Sequence, residues 1–140
     1  MGIEAFIWSY SDGDVAPLPF DKIQSLFAKY VVDWDSTNGR MRVCFGDEST
    51  SCDVYCGPEA EASNSVNGLM ISRPVNHPDL WQCVLDVMRM GNVLLFFSDK
   101  TTPLFAFEDA PKHFPKDLLE ALGKPRIVQS SEDIIQSHET

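Results

Sequence analysis

Three thiols lie close together in the first half of the chain: Cys44, then Cys52 and Cys56 within TSCDVYCG. Thiols grouped in this way can hold a metal, cross-link or attack a substrate. The residues between Cys52 and Cys56 include neither Gly nor Pro, so the segment reads as a strand. Four positions along a strand separate two side chains by roughly 13 Å. A zinc ion needs each sulfur at about 2.3 Å, and a disulfide needs its two Cα atoms within about 7 Å. Cys52 and Cys56 therefore share neither. Cys44 lies across the turn GDES from Cys52, a geometry that permits a link, but a reducing compartment leaves both as thiols. Cys83 falls in an apolar helical stretch and reads as a core thiol. No metal, no cofactor and no structural disulfide is expected.

A catalytic thiol or hydroxyl also needs a base, and the chain has three histidines. His77 stands where a helix begins, His113 in the connection PKHFP and His138 in the C-terminal stretch. Nothing in their spacing pairs them with a nucleophile. The eight glycines form no phosphate-cradling pattern. Asp12-Gly13-Asp14 lacks the later acids of a calcium loop and reads as a turn. An enzyme or small-ligand reading can still be built on a pocket between the sheet and the helix of residues 76–90, using Arg73, His77 and His113.

The stronger pattern is acidic. Carboxylates recur in the connections of the N-terminal half: Asp12 and Asp14, Asp33 and Asp35, Asp47 and Glu48, Glu59 and Glu61. Loops at one end of a meander can converge, and converged carboxylates attract a basic surface and speed encounter. These eight are the expected partner-binding residues, and the expected partner is a basic protein. In composition, though in no motif, the chain resembles the small acidic inhibitors that protect bacteria from their own toxins. The likeness implies an immunity-type inhibitor of a basic toxin or enzyme.

Elements must position these residues. GIEAFIWS reads as a strand ending at the turn SDGD. Phe20, Ile23, Phe27 and Tyr30 recur at helical intervals. VVDW, RMRVCF and TSCDVYC read as an antiparallel meander, its first turn marked by Asn38-Gly39. GPEAEASNS reads as a polar loop and GLMIS as a further strand. From Asn76 to Met90 a helix is expected, with Asn76 as N-cap and Gly91 as its stop. Its polar residues Asp79, Gln82, Asp86 and Arg89 form a narrow stripe, so protein should enclose the rest. NVLLFF reads as a central strand, PLFAF as its hairpin partner, FPKDLLEALG as a short helix and RIVQ as a last strand. SSEDII should form one helical turn capped by Ser130 and Asp133, with residues 131–140 a frayed tail. The fold class is α+β: a single domain over 1–140, a mostly antiparallel sheet and two or three packed helices.

The totals bound what such a domain can do. Its 140 residues carry 21 acids and 11 bases, a net charge of −10. Residues 1–61 hold eleven acids and four bases, −7, and the remainder −3. Such a surface repels nucleic acid phosphates and anionic membranes. The longest apolar run is far too short to span a bilayer. No basic residue precedes Lys22, so a secretory leader is not expected and the cytoplasm is the expected compartment.

Overall fold

The computed structural model describes residues 3–139. Strands β1 (Glu4–Ser11), β3 (Val31–Asp35), β4 (Arg40–Cys44), β5 (Ser51–Tyr55), β6 (Gly68–Ser72), β7 (Val93–Phe97), β8 (Lys100–Phe105) and β9 (Arg126–Ile127) form one sheet in the order β3-β4-β5-β6-β1-β7-β8-β9. A two-residue strand, β2 (Asp14–Val15), folds back on the end of β1. Every pairing is antiparallel except β8 with β9. The sheet is mixed because α4 (Lys116–Leu122) carries the chain back before β9 is laid down, the crossover that a parallel pair requires.

Alternation within the strands sets the layers. Ala5, Ile7, Met41, Val43, Val54, Leu69 and Ile71 all face one side and are fully buried. Helices α1 (Phe20–Phe27), α3 (Pro78–Met88) and α5 (Ser131–Glu139) cover that side. β7 is apolar throughout and buried at every position, because both of its faces are covered. On the second side, α4 and a 3₁₀ turn at Ala110–His113 cover β1, β7 and β8 through Phe96, Phe105, Phe114, Leu118 and Leu122. The second side of β3, β4, β5 and β6 has no such cover.

Five helices pack here, rather than two or three. One of them, α2 (Ala60–Ser63), buries Ala60 alone, so the segment reads as a polar loop in sequence. The C-terminal stretch forms more than the single helical turn expected, and Thr140 lies outside the described residues. α5 extends nine residues and packs on α3, burying Ile134 and Ser137. The capping pair forms as expected, with the Asp133 amide donating to Ser130 Oγ at 3.1 Å and the Gln129 amide to Asp133 Oδ2 at 2.8 Å.

α3 begins one residue later than its sequence suggests. His77, not Asn76, is the N-cap, its Nδ1 accepting from the Asp79 amide at 3.1 Å. Its ring also stacks on Phe45, a contact Asn76 could not make. At the other end Arg89 is the C-cap in right-handed conformation, so Gly91 lies beyond the stop.

Gly39 closes the β3–β4 turn at φ +66°, and its carbonyl accepts from the Cys56 amide at 2.7 Å. A Cβ there would sit 1.8 Å from the Gly57 carbonyl oxygen. Gly39→Ala should therefore destabilise the fold by about 2 kcal/mol, from left-handed strain plus displacement of that backbone. A thermal melt indistinguishable from wild type would show that the turn relaxes freely.

Candidate functional site

The four thiols are separate and free. Cys44 pairs with Ser51 and Cys52 with Val43, so Cys44 and Cys52 point to opposite faces of the hairpin and no link between them forms. Burial pushes the Cys56 thiol up to about 12 and the Cys83 thiol up to about 11, and it raises Cys52 as well. Among the described residues no group of three or more His, Cys, Asp or Glu is gathered as a metal site. Thiolates are the reactive species, so iodoacetamide on the native protein should label Cys44, which is partly exposed, well before the other three. Peptide mapping that finds Cys56 alkylated at a rate similar to Cys44 would contradict this burial.

Strand direction places the remaining candidates. β1, β3, β5 and β8 end where β4, β6 and β7 begin, which defines one end of the sheet. Arg73 and His77 follow β6 and lie at the other end. His113 lies at the first, where its Nδ1 accepts from the Asp12 amide at 3.2 Å and its carbonyl from the Gly13 amide. The three do not meet. On α3, Leu80, Trp81, Val84, Leu85, Val87 and Met88 are buried, so apolar side chains pack where the sequence suggested a pocket.

The acids divide as well. Asp12, Asp14, Asp35, Glu59 and Glu61 fall at the first end, Asp33 lies within β3, and Asp47 and Glu48 occupy the β4–β5 turn at the other end. Several serve the fold. Asp33 pairs with Arg40 at 2.9 Å. The Asn38 amide group beside Asp35 holds its carboxyl below the ordinary value, as Ser49 does for Asp47, which caps the 3₁₀ turn at Glu48–Thr50. Glu61 accepts from Trp34 Nε1 at 3.1 Å, tying α2 to β3. Asp14 and Glu59 carry no side-chain partner among the described residues, whereas Glu48 interacts electrostatically with Arg42. Glu108 and Asp109 join the first end, next to the 3₁₀ turn that holds the β1–β2 turn.

At that end lies a concavity of about 560 Å³ on the uncovered side of the sheet. Phe6, Trp8 and Tyr10 from β1 form one wall, Tyr55 and Met70 from β5 and β6 the other, and Val15 and Pro17 its upper lip. Phe6 faces Met70, which faces Tyr55, which faces Arg40, a continuous cross-strand row. Gly68 opposite Trp8 makes room for the indole: a Cβ there would be 3.0 Å from Trp8 Cδ1. A smaller hollow of about 360 Å³ shares Asn67 and Gly68 with the groove and is lined by Glu59. Val15 and Phe107, both about half exposed, flank the same end.

The groove's lining contains no carboxylate, imidazole, amine, guanidinium or thiol; it consists of aromatic and aliphatic groups, Gly, Pro, Asn, one thioether and two phenols. Such a lining can bind and orient a ligand, and the phenols of Tyr10 and Tyr55 are its only acid–base groups. No family model, curated protein or solved structure matches this chain. Sequence reasoning missed the groove, although β1 carries the signal. In EAFIWSYS both alternating sets are largely apolar, Ala5 and Ile7 on one side and Phe6, Trp8 and Tyr10 on the other. A strand of that kind needs cover on both faces. α4 and its preceding turn cover only part of the second.

No helix among the described residues is long and apolar enough to cross a membrane.

Proposed function

We propose that the chain is an acidic protein-binding module whose docking face is the uncovered half of the sheet, centred on the aromatic groove. The groove itself is the observation that carries this reading. Trp, Tyr, Phe and Met are the residues enriched where protein surfaces meet, and half-buried aromatics supply contact area at little entropic cost. Carboxylates stand around it: Asp14 next to Val15, Glu59 in the adjoining hollow, and Asp12, Glu108 and Asp109 beyond the upper lip. With a net charge of −10, that rim suits a basic partner. An immunity-type inhibitor of a basic toxin or enzyme is the partner relationship that fits, with inhibition following from occlusion of the partner's basic surface.

Its test begins with wild-type and Tyr55→Ala proteins as parallel baits, and ends with purified components. A basic protein that binds the wild type one to one, loses activity on binding and escapes Tyr55→Ala is the expected result. A partner held equally by both baits would place the docking face elsewhere.

A further inference from the structure

The groove combines features that no aliphatic anchor uses together. Trp8 Nε1 and the hydroxyls of Tyr10 and Tyr55 have no hydrogen-bond partner among the described residues, though all three side chains are half-buried. The walls are aromatic faces and one thioether; Asp14 precedes Val15 of the lip, and Glu59 lines the adjoining hollow. Arg40, the one cation in the row beside Tyr55, is already held by Asp33 and does not occupy the groove. We infer that this groove takes the side chain of an arginine presented by the partner.

The chemistry of arginine matches each feature in turn. Its methylene stem packs on Met70, as long cationic side chains do on apolar surface. Its planar guanidinium stacks on aromatic rings and is weakly hydrated, so it leaves water more readily than an ammonium. Its fork of donors suits carboxylates beside the groove, and Asp14 next to Val15 and Glu59 in the adjoining hollow lack side-chain partners among the described residues. Phenol oxygens accept as well as donate, which gives Tyr10 and Tyr55 a role toward the same group. The inference rests on the reading of this face as a protein-docking surface, and it names what that surface recognises.

Three short peptides test it: acetyl-Gly-Arg-Gly-amide, its citrulline counterpart with the same shape and no charge, and its norleucine counterpart. The readout is the Trp8 indole N–H resonance, assigned with Trp8→Phe. The arginine peptide should shift that resonance and bind about tenfold more tightly than the citrulline peptide. Tyr55→Leu should abolish the shift, and the exposed pair Asp14→Asn with Glu59→Gln should weaken it without disturbing the fold. Norleucine or citrulline binding as tightly as arginine would overturn the arginine anchor while leaving the docking face intact. A Trp8 shift that persists in Tyr55→Leu would also overturn it. Arginine binding in the groove, together with a protein partner indifferent to Tyr55, would uphold the anchor and overturn the docking face.

Discussion

Trp81→Ala is expected to destabilise the fold by about 3–5 kcal/mol, whereas Gln82→Ala, one residue further on, should cost well under 1 kcal/mol. The two positions lie on the same helix and differ in what surrounds them. Trp81 is 3% exposed and meets Phe97 edge to face at 5.5 Å. Gln82 is exposed and bonds only Asp86 one turn away. Truncating the indole removes its buried area and leaves a cavity between α3 and β7 that rigid neighbours fill only in part. Trp81 Nε1 is buried without a partner, so Trp81→Phe should cost much less than Trp81→Ala: it keeps most of the ring and removes an unsatisfied donor. Urea melts of the three variants decide the matter. Equal midpoint shifts for Trp81→Ala and Gln82→Ala would mean that α3 does not turn this face to the sheet.

That helix was legible in sequence because one face of eleven residues repeats at the helical period and its polar stripe is narrow. The strands of the meander were legible for the same kind of reason, since Met41 and Val43 alternate with Arg40 and Arg42. What escaped depended on tertiary partners. Asn76 has the better intrinsic capping chemistry, yet His77 caps because its ring gains Phe45 as a neighbour. α5 contains Ser, Asp and His, which favour helix weakly, and packing of Ile134 on α3 outweighs that preference. Eight acids looked equivalent in sequence because composition cannot distinguish a turn-forming carboxylate from an idle one. The structure separates Asp35 and Asp47, which bind their own turns, from Asp14 and Glu59, which face outward beside the groove. The groove needed the most distant information of all: which half of the second sheet face α4 leaves uncovered.

That separation changes which charges should matter to a partner. Asp14→Lys with Glu59→Lys is expected to slow association with a basic partner about tenfold at low salt, because rim charges act on the encounter rather than on the lifetime of the complex. Glu48→Lys is the control. It too is an exposed carboxylate, but it sits at the opposite end of the sheet. With a screening length of about 8 Å at physiological salt, a reversal there should hardly alter the rate. Raising the salt should shrink the effect of the first pair and leave little difference among the three proteins. Tyr55→Ala should act on the other side of the kinetics. A central aromatic anchor contributes about 2 kcal/mol or more, so its loss should raise the off-rate about thirtyfold while the on-rate holds. Reversals at Asp35 or Asp47 make poor probes, because each would also break the turn its carboxylate binds. If Glu48→Lys slows association as much as the groove-side pair does, only the total charge is being sensed. The groove would then lose its claim to be where the partner docks.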